Sequence, residues 1–356
     1  MSPLTPRPLT PRPRPLSRPL SRRSVLLGGL AGAAGLAGLN AGCARTPVTT
    51  SGVPAATIGL SYIPDIQFAP FYVADSSGLF ADAGVAPTLR HHGAQEGLFT
   101  ALAAGQEQYV IAGGDEVVHA RAQGMDVVAI AQYYRRCPVV AIVPDASDVV
   151  TAADLRGRSI GVPGRSGETW FGLSALLSGA ALTEDDVQIV EIGYTQQAAL
   201  ITGQVEAIVG FVNNDQVQFT TAGIPTRVIP LTETGEVPLV SIVLATMRAE
   251  LDARGEVATA VARGMIAGIT QAVAAPASAI EVAKQYIPTL TDAGGEAAAS
   301  ATLEATIPLW TDDAGLVDGA LDAGAWNAMT TFLWERRLIT TQVDPARAMT
   351  NDHVTS

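Results

Sequence analysis

Residues 63–72 gather side chains that could recognise a flat polar ring. These ten residues hold a carboxylate at Asp65, an amide at Gln67 and three aromatic rings, in a chain that is only 5% aromatic. Aromatic faces stack on a heterocycle, and carboxylate and amide groups can then hydrogen-bond to its edge. We therefore predict ligand contacts from Phe68 and Tyr72 as well, although Phe68 could instead pack in a core.

Residues 164–170 form a second such loop, between a predicted strand and a predicted helix. Gly167 allows close backbone approach, and the N–H groups at the start of the helix, at Glu168 and Thr169, have no partner within it. Trp170 offers a flat stacking face, or else packs in the core. This loop is therefore predicted to contact a ligand.

Two further predicted strand ends carry amides. Tyr194 lies two residues before Gln196, and Asn213 and Asn214 follow the strand 207–211. Adjacent amides can donate and accept hydrogen bonds at once, although one of the two asparagines could instead cap a helix. Both strand ends are predicted to line a binding cleft.

Asp115 and Glu116 begin a predicted helix directly after the strand 109–113. The two carboxyl groups could form an acid/base pair, or could simply complement the positive end of the helix dipole. We include Asp115 among the candidates for ligand binding. The candidates are Asp65, Gln67, Phe68, Tyr72, Asp115, Gly167, Glu168, Thr169, Trp170, Tyr194, Asn213 and Asn214.

The sequence lacks motifs for catalysis, metals and nucleotides. Lys284 is the only lysine and is followed by Gln285, which excludes a Walker A loop. Two cysteines, Cys43 and Cys137, cannot build a CxxC or zinc framework. A formal net charge of -12 argues against nucleic acid, which attracts clustered cations. We predict no catalytic residue, no metal and no cofactor.

Short apolar strands alternate with helices along most of the chain, which indicates parallel sheets with helical crossovers. The predicted fold class is α/β with two lobes, each a mostly parallel sheet flanked by helices, joined by a hinge of two crossing strands. A ligand would bind between the lobes, at the carboxyl ends of the strands. Lobe 1 comprises residues 55–142 and 238–340 with C-terminal helices, lobe 2 comprises 143–237, and 341–356 form a C-terminal tail. The pattern also predicts helices over 69–82 and 95–104, and a break at 292–296.

The N-terminal 54 residues are predicted to lie outside the fold. Residues 1–20 read as a disordered Pro/Arg-rich leader, and 44–54 as a tether. Residues 21–43 resemble a twin-arginine export signal that ends in a lipobox, with Cys43 lipidated and holding the protein to a membrane. An uncleaved transmembrane anchor is the alternative, but the apolar run at 25–39 is shorter than the roughly 20 residues needed to span a bilayer.

Three segments carry a resemblance to a known family: IQFAPFYVAD at 66–75, GYTQ at 193–196 and GFVNND at 210–215. The chain resembles periplasmic substrate-binding proteins of the nitrate/sulfonate/taurine transporter class, in the branch shared with thiamine-pyrimidine precursor binding. The resemblance spans about residues 56–340. It implies a type II periplasmic-binding fold, a monomer exported to the periplasm or the outer face of the cytoplasmic membrane, and delivery of a small molecule to an ABC permease and its ATPase.

The ligand remains open among several classes. An aminopyrimidine precursor of thiamine is the first hypothesis, and riboflavin or another flat heterocycle is the second. The third is an alkyl sulfonate, nitrate or taurine, held by a helix N-terminus and Arg165. A pyrimidine-precursor synthase also resembles this fold, but it needs a cofactor lysine and a cysteine-rich iron motif, which this chain lacks. We therefore predict a binding protein and not an enzyme.

Overall fold

The computed structural model describes residues 52–93, 96–232 and 237–354. The predicted leader, the export signal, Cys43 and most of the tether lie outside the described residues. Within the described part, ten strands form two five-stranded sheets. The strands are β1 (Ala55–Leu60), β2 (Ala86–His91), β3 (Tyr109–Gly113), β4 (Val127–Gln132), β5 (Val139–Pro144), β6 (Ser159–Val162), β7 (Gln188–Glu191), β8 (Ala207–Phe211), β9 (Thr226–Ile229) and β10 (Ile242–Met247).

Helices flank both sheets. They are α1 (Ala69–Ser76), α2 (Leu79–Ala83), α3 (Thr100–Ala103), α4 (Gly114–Ala122), α5 (Glu168–Gly179), α6 (Gln196–Ile201), α7 (Asp215–Thr221), α8 (Arg248–Ala274), α9 (Pro276–Ala283), α10 (Ala293–Trp310), α11 (Ala323–Glu335) and α12 (Pro345–Ala348). The predicted α/β fold with two lobes is confirmed.

The two sheets share one topological plan. The first has the order β2-β1-β3-β10-β4 and the second β7-β6-β8-β5-β9. In the first sheet, β1 lies between β2 and β3 and is parallel to both; in the second, β6 lies between β7 and β8 and is parallel to both. Each sheet also contains one strand that is antiparallel to both of its neighbours, β10 in the first sheet and β5 in the second. These antiparallel strands, β5 and β10, are the ones that directly follow the two crossings of the chain between the lobes. Each crossing therefore leads into an interior strand of a sheet.

The first crossing, residues 133–138, contains no strand, in contrast to the predicted hinge strands. The backbone N–H groups of Tyr133 and Tyr134 donate to the carbonyl of Ile242, at 2.8 and 2.9 Å. These bonds tie the first crossing to the start of β10, where the second crossing ends.

Several predicted element bounds were wrong. The helix predicted over 69–82 divides into α1 and α2, because Gly78 takes a left-handed conformation with φ of 74° between them. Within 95–104 only α3 is helical in the described residues. Residues 292–296 do not interrupt a helix but begin α10, where the Asp292 side chain accepts a hydrogen bond from Gly295 N at 2.8 Å.

Helix α8 is the core helix of lobe 1. It is long and apolar enough to cross a membrane by length and composition alone, yet 56% of its most apolar window is buried inside the fold. It packs against α1 and α2. Gly268 allows that approach, because a Cβ at this position would overlap the carbonyl of Pro70. Burial against α1 and α2 therefore accounts for the apolar character of α8.

The C-terminal segment packs against lobe 1. Thr350 N donates to the carbonyl of Ala129 in β4 at 3.0 Å, and His353 Nδ1 lies 3.0 Å from the Thr259 hydroxyl in α8. These contacts extend the first lobe beyond residue 340.

Candidate functional site: a cleft between the lobes

A cavity of about 970 Å³ lies between the two sheets, and residues from both lobes line it. The loops that follow β1, β3, β6, β7 and β8 all reach it. Carboxyl ends of parallel strands meet at one edge of a sheet, which is why loops so distant in sequence converge here. The expected position of the cleft agrees with this geometry.

The lobe 1 side of the cavity is an aromatic wall of Phe68, Tyr133 and Tyr134. All three side chains are almost fully buried. The rings of Tyr133 and Tyr134 stack with centroids 5.1 Å apart, and Tyr133 lies 6.0 Å edge-on from Trp310. The Tyr133 hydroxyl donates to the carbonyl of Gln67 at 2.6 Å. The wall is therefore held in place by the core and by the loop after β1.

The mouth of the cleft is bridged by two tyrosines. Tyr62 of lobe 1 and Tyr194 of lobe 2 have ring centroids 6.0 Å apart. Tyr194 is 59% exposed, whereas Tyr62 is half-buried. The pair therefore joins the two sides of the cleft in this structure.

The lobe 2 side mixes rings with polar groups. Phe171 is largely buried but lines the cavity, with its ring 5.8 Å from the His119 ring. Asn214 and Asp215 follow β8, and Asp215 Oδ2 accepts a hydrogen bond from Phe211 N at 2.8 Å. Burial raises the pKa of Asp215 to about 6. This side can both donate and accept hydrogen bonds.

Three carboxyl groups meet around Gly113, where β3 ends. Burial, and then the neighbouring carboxylates, raise the pKa of Asp115 and of Glu168 above their usual range. Burial also raises the pKa of Glu116 to about 7. Gly113 N donates to Glu116 Oε2 at 2.9 Å, and Glu116 N donates to Asp115 Oδ1 at 2.7 Å. Among the described residues, no arginine or lysine forms an ion pair with any of the three.

Most of the predicted residues line the cavity. Those that do are Asp65, Gln67, Phe68, Gly167, Glu168, Thr169, Tyr194 and Asn214. Asp65 also accepts a hydrogen bond from Gln67 N at 3.1 Å, and burial raises its pKa. Whether these residues contact a ligand stays a prediction.

Tyr72 and Trp170, two predicted stacking residues, lie outside the lining. Tyr72 is fully buried, stacks on Tyr286 with centroids 4.6 Å apart, and has its hydroxyl 3.0 Å from His91 Nε2. Trp170 is also buried, and the Arg165 guanidinium lies over its ring, 4.9 Å from the ring centroid. Both rings contribute to packing in this structure.

Asp115 and Asn213 lie behind the surface of the cleft. Asp115 is 1% exposed at the start of α4. Asn213 is fully buried, and its Nδ2 donates to the hydroxyls of Tyr134, at 3.3 Å, and of Thr306, at 3.0 Å. In each pair of adjacent polar residues it is the second, Glu116 or Asn214, that lines the cavity.

Sequence reasoning weighed Glu116 but kept only its neighbour Asp115 as a candidate, and it missed Tyr62, His119, Tyr133 and Tyr134. Glu116 and His119 lie three residues apart on α4, and so share one helix face, a spacing that could have been found. The two tyrosines lie in the irregular crossing 133–138, where no periodic pattern marks the side that faces a cleft.

The NMT1/THI5 like family model matches residues 65–279, more than half of the chain. The chain belongs to the NMT1/THI5-like family. The sequence resemblance to this branch is thereby confirmed. Family membership and fold do not define the ligand, because one fold supports many functions.

Two relatives of this NMT1/THI5-like protein are named as binding proteins. The riboflavin-binding protein RibY of Chloroflexus aurantiacus is 28% identical over 332 residues, covering 87% of this chain and 93% of that protein. A formylaminopyrimidine-binding protein of Halalkalibacterium halodurans is 23% identical over 224 residues, covering 63% of this chain and 68% of that protein.

A solved structure supports the fold. The alkanesulfonate-binding protein SsuA of Xanthomonas axonopodis pv. citri, bound to MOPS, aligns with a TM-score of 0.66 at 20% identity. The alignment covers 86% of this chain and 100% of that one. The NMT1/THI5-like chain therefore has the fold of periplasmic binding proteins.

Proposed function

We propose that this protein is the solute-binding component of an ABC importer and that its cleft captures a flavin such as riboflavin. The observation that carries the proposal is the cavity of about 970 Å³ with an aromatic wall. Pockets for drug-sized ligands span about 300–1,000 Å³, so this cavity is at the upper end. A single aminopyrimidine ring would leave much of it unfilled, whereas a three-ring isoalloxazine with a polar chain would occupy more.

The arrangement of side chains suits such a ligand. The rings of Phe68, Tyr133 and Tyr134 line one side of the cavity, and Thr169 and Asn214 offer hydrogen bonds at the opposite side. Stacking of a ring on an aromatic side chain contributes roughly 1–3 kcal/mol by analogy with nucleobases. The extent of similarity to the riboflavin-binding relative also favours a flavin over our first expectation, the aminopyrimidine.

A thiamine-pyrimidine precursor is the second candidate. The formylaminopyrimidine-binding relative favours it, as do Glu116 and Glu168, whose carboxyl groups could accept hydrogen bonds from a ring amine. An alkyl sulfonate is less well matched. Arg165, the cation expected to hold it, is exposed and is paired with Glu184 at 2.6 Å.

We propose binding without catalysis. Lys284, the only lysine, pairs with Glu281 and Glu296 on lobe 1, at 2.8 Å in each case, and does not line the cleft. Cys137, the one cysteine among the described residues, is a free thiol whose pKa is raised by burial, which keeps it protonated and unreactive. The cleft would close on its ligand by movement of one lobe, and the closed form would dock on the permease as a monomer.

We also propose that the protein is exported and held to the membrane through a lipid on Cys43. The support is the sequence of residues 21–43. Mass spectrometry of the protein from membranes would test this. A mature N-terminus at Cys43 carrying acyl chains is expected, and a chain that retains residues 1–42 would contradict it.

The ligand proposal is tested by titrating the purified protein with riboflavin, a formylaminopyrimidine and taurine. Stacking on the aromatic wall should quench flavin fluorescence in a saturable way, and riboflavin should raise the melting temperature most. Tyr194→Ala should weaken binding, because the ring closes the cleft mouth. Ile201→Ala, at a residue of the same lobe that is 55% exposed and outside the lining, serves as the control. Binding of the formylaminopyrimidine or taurine without riboflavin would contradict the flavin proposal.

A further inference from the structure

The described lining of the cleft carries five carboxyl groups and no lysine or arginine, and its only histidine is His119. Its carboxyl groups belong to Asp65, Glu96, Glu116, Glu168 and Asp215, a set that we call the acidic lining. A cleft with one sign of charge and low-dielectric walls focuses its field on whatever enters.

Two arginines beside the lining form ion pairs with acids. Arg165 pairs with Glu184 at 2.6 Å, lies 3.5 Å from Glu191 and stands over the Trp170 ring. Arg90 pairs with Glu96 at 2.7 Å and with Glu107 at 3.1 Å. Arg90 thus balances one member of the acidic lining, Glu96, whereas no arginine or lysine among the described residues pairs with Asp65, Glu116, Glu168 or Asp215.

Carboxyl groups of both lobes converge at the inner end of the cavity. A Cβ added at Gly113 would lie 2.8 Å from Glu168 Cγ and 3.2 Å from Glu116 Oε2, and one added at Gly167 would lie 3.4 Å from Glu116 Oε1. The glycines thus provide the space in which Glu116 of lobe 1 approaches Glu168 of lobe 2.

Few hydrogen-bond donors contact the carboxyl groups of Glu116 and Glu168. Besides Gly113 N, which donates to Glu116, the Ser241 hydroxyl lies 3.4 Å from Glu168 Oε1. His119 is the nearest basic side chain of α4, and burial lowers its pKa, which favours the neutral ring. Burial raises the pKa of Glu116, and burial followed by the charges of Asp115 and Glu116 raises the pKa of Glu168.

We propose that the acidic lining restricts the cleft to flavins that carry no phosphate, with Glu116 and Glu168 as the specificity-determining residues. This rests on the proposed function. A phosphate monoester carries about −1.5 to −2 charges at neutral pH. Placing it in this cleft, away from water and without a cation, costs desolvation energy, and the phosphate also repels Glu116 and Glu168 whenever either is ionised; an uncharged ribityl chain avoids both costs.

The test compares riboflavin with flavin mononucleotide, which differ by one phosphate, in fluorescence titrations at pH 7.5. We expect the mononucleotide to bind at least about 100-fold more weakly. Glu116→Gln and Glu168→Gln should each lower the ratio of the dissociation constants of the mononucleotide and of riboflavin at least about fivefold, because the mononucleotide binds more tightly. Glu304→Gln, at an exposed acid of α10 outside the lining, should leave it unchanged.

The outcomes separate the two proposals. Equal affinities for the two flavins, or a ratio of dissociation constants that neither glutamine variant alters, would overturn the proposed exclusion of anions by the acidic lining. Flavin binding itself would still stand. If no flavin binds, the flavin proposal fails, and a formylaminopyrimidine and ethanesulfonate replace the pair as uncharged and anionic probes. A saturable rise in melting temperature with ethanesulfonate would then overturn the exclusion of anions, and one with the formylaminopyrimidine alone would support it. Absence of binding by all four compounds would overturn both.

Discussion

The two walls of the cleft differ in how firmly the fold holds them. On the lobe 1 side, Phe68, Tyr133 and Tyr134 are at most 3% exposed and belong to the hydrophobic core. On the lobe 2 side, Tyr194 is 59% exposed and Gln218 is also exposed. The first wall is therefore rigid before a ligand arrives, whereas much of the second can adapt.

This difference indicates a division of roles. Rigid aromatic surface reduces the entropy lost on binding, and mobile polar side chains can adjust to the edge of a ligand. Substitutions in the lobe 1 wall should thus affect folding and binding together. Substitutions on the exposed part of the lobe 2 wall should affect binding with little effect on folding.

The largest effect is expected for Tyr133→Ala. Removal of a buried ring that contacts Phe71, Tyr134 and Trp310 should lower the free energy of unfolding by about 3–5 kcal/mol, by analogy with other buried aromatics. Denaturant unfolding measures this loss. Tyr133→Phe keeps the ring and loses only the bond to Gln67, so it should cost about 1 kcal/mol. A loss below 1 kcal/mol in the alanine variant would mean that the wall is not part of the core.

Asn213→Ala should be the next largest change. It removes the buried amide that donates to the hydroxyls of Tyr134 and Thr306, of which Thr306 keeps its bond to the carbonyl of Thr302, and should lower the free energy of unfolding by about 1–3 kcal/mol. The neighbouring Asn214→Ala is the matched control. Asn214 lines the cleft, and its Oδ1 accepts a hydrogen bond only from the exposed Gln218, so stability should change by less than about 0.5 kcal/mol. Equal losses in the two variants would contradict the assignment of Asn213 to the interior.

A moderate pH dependence is expected from Glu116. Its pKa is raised from 4.5 to about 7 in the folded protein, so the folded state binds more protons than the unfolded state between these values. Stability should therefore fall as the pH rises from about 5 to about 7, by roughly 1–3 kcal/mol. Melting temperatures measured across this range give the slope.

Glu116→Gln should make the melting temperature depend less on pH. Part of the dependence should persist, because burial also raises the pKa of Asp115 and of Glu168. Glu184→Gln removes an exposed acid of lobe 2 and is the control. A slope in the Glu116 variant equal to that of the wild type would show that Glu116 is not buried in the closed cleft.

Tyr194→Ala should have the smallest effect on folding. The side chain is mostly exposed, so the free energy of unfolding should change by less than about 0.5 kcal/mol. Affinity for riboflavin should nevertheless fall about tenfold, because the ring faces Tyr62 across the mouth of the cleft. Chemical denaturation and fluorescence titration on the same sample separate the two. If Tyr194→Ala lowered the free energy of unfolding as much as Tyr133→Ala, the lobe 2 side of the cleft would be as firmly packed as the lobe 1 side, contrary to the distinction drawn above.

The loop residues were predictable because composition and position along the chain mark them. Asp65, Gln67, Phe68, Gly167 and Asn214 each follow a strand of the α/β pattern, and all line the cleft. Which member of an adjacent pair faces the cleft was not predictable. One residue of a helix or turn is rotated by about 100° from the next, and only the packing of that element on its neighbours sets its rotation.

The sequence by itself determined the α/β class, the two-lobed plan, the family resemblance and the positions of the loops that line the cleft. These follow from local patterns of apolar residues, glycines and aromatics. The tertiary structure alone decided that Tyr72, Trp170 and Asn213 pack inside, that the Tyr133–Tyr134 pair forms a wall, and that acids of both lobes meet at Gly113. Such contacts join residues far apart in the chain, and their formation depends on how complete elements pack against each other.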